Sequence, residues 1–327
     1  MNDDVRLFAL GASKPLGESI ARSLGIDLAD HEEREFDDGE HKARPLVNVR
    51  GRDVFVVHSL YGEPGASVND KLCRFLFFLG AVRTGAADRV TAVAPYLCYA
   101  RKDKRTKARD PVTTRYVAAL FEAVGVDRVL TLEVHNPAAF ENAFRCGADH
   151  LVGDTLLLQS FANRSLCDRV VVVSPDVGGI KRAEGFREAL ERRLGRSVDG
   201  AFMEKKRSAG VVSGERLVGE VDDSTVLLVD DVIGTGTTIR RAARACADAG
   251  ATEILAAATH GLFLDGAAEM LADPAITRVV VTNTVPPFRL PSGLVREKVE
   301  VVDATPLLAE AIRRIHEGGS LVDLAAG

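Results

Sequence analysis

The chain has only five cysteines, Cys73, Cys98, Cys146, Cys167 and Cys246, an odd number at wide spacing with no C-x-x-C pair. That pattern excludes a disulfide framework and a zinc site of familiar spacing, and leaves buried thiols as the expected role. No apolar run reaches the length of a membrane span, and the start Met1-Asn2-Asp3-Asp4-Val5 has neither basic residues nor an apolar signal core, so a cytoplasmic protein is expected. A basic excess is missing as well: the formal net charge is −5. This argues against a general nucleic-acid or membrane-surface binder, and any local basic cluster is expected to serve small anions. Low-complexity segments and short-period repeats are absent too.

With 327 residues, 46% apolar and 27% charged, the composition is that of an ordinary globular protein long enough for two domains. Short apolar runs recur at Arg6–Leu10, Val54–His58, Val90–Pro95, Arg128–Val134, Val170–Ser174, Val226–Val229, Glu253–Thr259 and Arg278–Thr282. Helix-like segments separate most of them: Pro15–Leu24, Val68–Gly85, Val112–Val124, Thr155–Asn163, Gly179–Leu194, Ile239–Ala249 and Thr305–His316. Such alternation predicts an α/β protein with mainly parallel sheets, in two doubly wound domains. Gly147-Ala148-Asp149-His150 interrupts the pattern, which sets the expected domains at 1–150 and 151–327, with the C-terminal helix expected to cross back to the first.

The stretch Val226 to Ile239, VLLVDDVIGTGTTI, runs four apolar residues into two carboxylates and then a Gly/Thr loop. A run such as Val226–Val229 reads as a buried parallel strand, so Asp230 and Asp231 fall at its carboxyl end, where open α/β sheets bind ligands. The loop Gly234, Thr235, Gly236, Thr237 and Thr238 lets backbone N–H groups and hydroxyls approach a phosphate, with a following helix directing its N-terminus at the anion. Two acids beside a phosphate cradle would repel it unless they hold something neutral or a cation; ribose hydroxyls or Mg²⁺ meet that need.

Five other segments carry chemistry. Phe36-Asp37-Asp38-Gly39-Glu40 on its own reads as a solvated turn. Tyr96 to Pro111 places six cations within the nine residues Arg101 to Arg109, after a strand and in an acidic chain, which suits a triphosphate. His135 follows another strand beside Glu133, where a His is structural or ligates Mg²⁺ or phosphate. Ser174-Pro175-Asp176-Val177-Gly178-Gly179 repeats the order of strand, acid and glycines. Glu204-Lys205-Lys206-Arg207 opens a polar, Gly-containing stretch to Gly219 of the kind that serves as a lid. One protein thus has two anion-friendly strand ends, loose carboxylates and a basic lid, an inventory suited to phosphoryl-type transfer.

The 226–239 stretch resembles the 5-phosphoribosyl-1-diphosphate (PRPP) motif of phosphoribosyltransferases and PRPP synthetases. Taken in order, Phe36–Glu40, Pro95–Arg101, Arg109–Val112, Ser174–Gly179 and Pro306–Ile312 resemble the motifs of the ribose-phosphate diphosphokinase (PRPP synthetase) family across nearly the whole chain. The resemblance implies two domains of phosphoribosyltransferase type and transfer of the diphosphoryl group of ATP to ribose 5-phosphate, with Mg²⁺ required. It implies that Phe36, Asp38, Glu40, Arg101, Lys102 and Asp103 line the ATP site, with the Phe36 segment completing a neighbouring subunit's pocket in a dimer or hexamer. His135 and Asp176 would be the Mg²⁺-linked pair and Lys205 and Arg207 the catalytic cations. Asp230 and Asp231 would bind the ribose hydroxyls, and Gly234, Thr235, Gly236, Thr237 and Thr238 the 5-phosphate.

The chain departs from the family pattern at Lys102, usually Gln, at Glu133, usually Asp, and at Gly234 and Gly236-Thr237-Thr238. The segment between Arg207 and Val226 is shorter than the usual lid, and Tyr61–Ser67 carries extra residues. Two further readings stand beside the main one: a phosphoribosyltransferase that consumes PRPP, which leaves the first-half segments unexplained, and a non-catalytic regulatory paralogue, which would be expected to lack its lid cations or Mg²⁺ residues, whereas Lys205, Arg207, His135 and Asp176 are all present.

Overall fold

A computed structural model describes residues 4–162, 164, 166–208 and 211–325, with the backbone alone at 162, 205–208, 211–215, 323 and 325. The chain divides into two compact units, Met1–Val152 with Ala304–Gly327, and Gly153–Asp303.

The first unit contains β1 (Val5–Ala9), α1 (Lys14–Leu24), the hairpin β2 (His31–Glu35) and β3 (His41–Pro45), β4 (Asp53–Val57), α2 (Val68–Thr84), β5 (Arg89–Ala94), α3 (Thr113–Ala123), β6 (Arg128–Leu132), α4 (Pro137–Ala143) and β7 (Gly147–Leu151). Its main sheet has the order β1-β4-β5-β6-β7, parallel throughout. The strands are almost wholly buried because both faces are covered, which is why they read as continuous apolar runs. On one face Phe8, Val54, Val56, Val90 and Ala92 pack against Phe75 and Leu79 of α2 and Val117 and Phe121 of α3. The alternate residues face α1, which comes so close that a Cβ added to Gly17 would lie 2.2 Å from the Ala9 Cβ. Ser67 caps α2 reciprocally, its hydroxyl accepting from Asp70 N and the Asp70 carboxylate accepting from Ser67 N. Residues 147–150, expected to interrupt the pattern, instead form the edge strand β7.

The second unit contains α5 (Asp154–Ala162), β8 (Val170–Ser174), α6 (Ile180–Leu194), β9 (Asp199–Ser208), β10 (Val211–Val218), β11 (Thr225–Ile233), α7 (Thr237–Asp248), β12 (Glu253–Gly261), α8 (Ala267–Leu271), β13 (Arg278–Thr282), α9 (Ser292–Lys298) and β14 (Val299–Val302). Its sheet order is β10-β9-β8-β11-β12-β13-β14, parallel except for the antiparallel β9–β10 pair. Helices α5 and α6 cover one face through Leu157, Phe161 and Phe186. Helix α7 covers the other through Ile239, Ala242 and Cys246, together with Met270 of α8. The unit is therefore doubly wound, and its strand order reverses between β8 and β11. The chain then closes with α10 (Thr305–Glu317), which packs on α1 of the first unit, and α11 (Val322–Ala325).

Two expectations are corrected. The polar stretch from Glu204 to Gly219, expected to serve as a lid and with no strand expected in it, pairs along its backbone within β9 and β10, with an irregularity between Val212 and Gly214. Of the cysteines expected to be buried, only Cys98 and Cys246 are; Cys73 and Cys167 are exposed.

Candidate active site

In an open parallel sheet the amino ends of following helices and the carboxyl ends of strands face the same side, and a ligand crevice opens where the order reverses. In the second unit that point lies between β8 and β11. Strand β8 delivers Asp176, whose Oδ1 accepts from Gly178 N at 2.8 Å and Gly179 N at 3.0 Å and so caps the short turn Val177–Gly179. Strand β11 delivers Asp230 and Asp231; Asp231 is buried, and its N–H donates to Asp230 Oδ1 at 2.9 Å. Arg182, on the first turn of α6, sets one nitrogen, Nη1, 3.3 Å from Asp230 Oδ1 and 3.3 Å from Asp231 Oδ1.

Two unit charges about 4 Å apart interact by about 4 kcal/mol near a protein surface, enough to keep adjacent carboxylates from ionising together unless a cation stands between them. Burial, with the hydrogen bond and charge of Asp231, pushes the Asp230 carboxyl well above the ordinary carboxylate range, and Arg182 pulls it back. Asp154, where α5 begins, is a third acid on which the charge of Arg182 acts; burial pushes its carboxyl up to about 6. Motif reading missed both Asp154 and the role of Arg182. A signal for Arg182 exists in hindsight, because a cation on the first turn of a helix opposes the helix dipole and needs an acidic partner.

After β11 the chain turns through Gly236, at φ +75°, where an added Cβ would press on the Met270 side chain at 2.7 Å. Only glycine suits that position. The turn brings Thr235 Oγ1 to 3.0 Å from Thr237 Oγ1 and starts α7 at Thr237, so the early amides of a twelve-residue helix and the Thr hydroxyls share one loop with Gly234 and Thr238. Carboxylates followed by an anion-binding helix start suit a phosphorylated polyol.

In the first unit, Arg101, Lys102 and Asp103 lie on the turn after β5, anchored by buried Leu97 and Cys98. The Asp103 carboxylate accepts from Asn136 Nδ2 at 2.7 Å, which ties this loop to the segment after β6 that carries His135. Asp103, expected at the ATP site, thus has a structural contact of its own. Asp110 accepts from Thr106 Oγ1 at 2.7 Å and Lys107 N at 2.9 Å, folding the basic run onto itself. Of six non-glycine residues with positive φ among those described, Tyr99, Arg109 and Glu133 lie in these two segments, and such strain gathers at functional loops. Phe36, Asp38 and Glu40 sit apart from them, at the tip of the β2–β3 hairpin. There Asp38 Oδ1 accepts from Glu40 N at 3.0 Å, and the half-exposed Phe36 ring lies under the Arg34 guanidinium. His135 is in the first unit and Asp176 in the second. The Lys205 and Arg207 side chains lie outside the described residues; their backbone is part of β9.

Residues 5–125 match the family described as the N-terminal domain of ribose phosphate pyrophosphokinase, and residues 202–325 match the phosphoribosyl synthetase-associated domain. The ribose-phosphate pyrophosphokinase of Caldanaerobacter subterraneus subsp. tengcongensis is 40% identical over 323 residues, spanning 98% of each chain. The chain belongs to the ribose-phosphate pyrophosphokinase family. The Haemophilus influenzae member is 38% identical over 320 residues, covering 97% of this chain and 98% of that one. The crystal structure of phosphoribosylpyrophosphate synthetase from Mycobacterium smegmatis superposes with a TM-score of 0.87 at 33% identity, over 97% of this chain and 100% of the other. This family membership, together with the two described units, bears out the expected α/β architecture. No helix among the described residues is long and apolar enough to cross a membrane.

Proposed function

We propose that the protein is a ribose-phosphate diphosphokinase of the cytoplasm, which transfers the diphosphoryl group of ATP to the 1-hydroxyl of ribose 5-phosphate to give PRPP and AMP. The observation that carries this reading is the Asp230–Asp231 pair at the β8/β11 reversal, leading directly into the Gly236 turn and the start of α7. Carboxylates accept hydrogen bonds from two ribose hydroxyls, while Thr235, Gly236, Thr237 and Thr238 surround the 5-phosphate. The names of full-length relatives support the same reaction.

In the reaction, the 1-hydroxyl oxygen bonds to the β-phosphorus of ATP and loses its proton, and the bond from that phosphorus to the α,β-bridging oxygen breaks. The protein's part is placement and charge: Arg101 and Lys102 hold the triphosphate, and Lys205 and Arg207 act on the charge of the transferred group and departing AMP. Phe36 stacks on the nucleotide base in an oligomer, a dimer or a hexamer, its exposed hairpin tip reaching the pocket of an adjacent subunit.

The ion in this reading is Mg²⁺, which takes one or two carboxylates and completes its shell with substrate phosphates and water. Asp176 and His135 would be its protein contacts, and the ion would supply charge neutralisation on the phosphates.

The test is ³¹P NMR of the purified protein with ATP, Mg²⁺ and ribose 5-phosphate. PRPP and AMP in equal amounts are expected. Formation of ADP, or no reaction of the sugar phosphate, would refute the reading.

A further inference from the structure

The Asp230–Asp231 pair is held by a residue that comes from the opposite side of the strand reversal. Arg182 belongs to α6, which follows β8 and the Asp176 turn, whereas the two acids end β11. Its side chain is only 14% exposed. Nη1 stands 3.3 Å from an oxygen of each acid, and it lies 3.6 Å from where a Cβ on Gly179 would be. The guanidinium therefore folds back under the turn whose amides Asp176 accepts, and meets β11 from there. The positive charge of Arg182 also acts on Asp154 at the start of α5.

Resting on the reaction proposed above, we infer that Arg182 is a positioning residue for the sugar. It fixes the orientation of the Asp230 and Asp231 carboxylates toward the ribose hydroxyls, and it links that orientation to the Asp176 turn. The chemistry demands something of this kind. A carboxyl group meets two hydroxyls of a diol only when it is turned toward them, and two adjacent acids without a shared cation would tend to turn apart. Here one nitrogen of a rigid, permanently charged guanidinium serves both acids, whereas a lysine ammonium would bring its charge on a more flexible stem. Because the ion pairs of Arg182 are with the sugar pair, its loss should be felt in ribose 5-phosphate binding more than in ATP binding.

The experiment measures steady-state kinetics for both substrates in Arg182→Met and Arg182→Lys, beside wild type. For Arg182→Met we expect the KM for ribose 5-phosphate to rise about tenfold or more, as for loss of a charge-assisted hydrogen bond, with the KM for ATP within about twofold. Arg182→Lys, which keeps the charge and the fold of the helix, is expected to recover part of that loss and still to weaken ribose 5-phosphate more than ATP. A wild-type KM for ribose 5-phosphate in either variant overturns the inference, as does an equal rise in both KM values, the mark of a merely structural arginine. If Arg182→Met does not fold, the Lys variant decides by the same split. Failure of the reaction reading is separate, since it would appear as no PRPP formed by the wild-type protein.

Discussion

In the first unit the strands run one way from β1 to β7, and the candidate residues ride on exposed loops and a hairpin tip; in the second, the order reverses between β8 and β11, and an arginine from the β8 side meets two acids of β11 in a largely buried cluster. The difference matches the ligands proposed for each. A triphosphate is large, mobile and highly charged, and exposed cations on loops tied to their own backbone can hold it without being buried. A sugar phosphate is small and is distinguished by its hydroxyls, which only well-placed, desolvated acceptors read with discrimination. Each unit thus uses the same strand-end location with opposite electrostatics.

The comparison can be broken most sharply at the cations of β9. Lys205→Ala and Arg207→Ala are each expected to lower kcat by about 10² or more with both KM values little changed, because these charges act on the transition state. Steady-state kinetics checks this, and a near wild-type kcat would remove them from the mechanism. Next in size, Asp231→Ala should raise the KM for ribose 5-phosphate about tenfold while sparing ATP, as a lost charge-assisted acceptor predicts; titration calorimetry with each substrate separates the two. A smaller effect is expected from Phe36→Ala, a several-fold rise in KM for ATP through lost stacking worth about 0.5 to 1.5 kcal/mol. Light scattering on the active protein tests the accompanying claim of self-association, which a fully active monomer would defeat.

The smallest effect concerns stability. His58 is buried, its Nδ1 lies 3.1 Å from Leu10 O and 3.3 Å from Ser13 Oγ, and its Nε2 has no hydrogen-bond partner among the described residues. Burial, aided by the charges of Lys71 and Arg74 and opposed by Glu33, lowers its pKa from 6.5 to about 3. The unfolded chain then binds more protons than the folded one between those values, so stability rises with pH across that window and is lost as pH falls through it. His58→Gln should flatten the decline of Tm below pH 6.5, measured by calorimetry across that range; an unchanged slope would place the acid sensitivity elsewhere.

The buried parallel strands were legible because coverage on both faces leaves an uninterrupted apolar run, as in Val170–Val173 and Val226–Val229. The hairpin strands HEERE and HKARP were not, since both are short and rich in charge and HEERE shows no alternation. Strand β7 hid behind Gly147 and Asp149, and β9–β10 behind polar residues expected to serve as a lid. Among site residues, Asp230 through Thr238 could be read because strand, acids and turn are contiguous in the chain. The Arg182 bridge could not, for it joins residues 48 apart, and neither could the Asn136 tie to Asp103, 33 apart. Contacts of that kind come from strand order, which local pattern does not specify.

The division of labour between the two units is tested most directly by amide hydrogen exchange on the wild-type protein, with ribose 5-phosphate alone and with ATP and Mg²⁺ alone. The sugar phosphate should slow exchange in the loop and first turn from Asp230 to Ile239 and leave Tyr96 to Pro111 unchanged, while the nucleotide should do the reverse. Protection of Tyr96 to Pro111 by ribose 5-phosphate, or of Asp230 to Ile239 by ATP alone, would contradict the account.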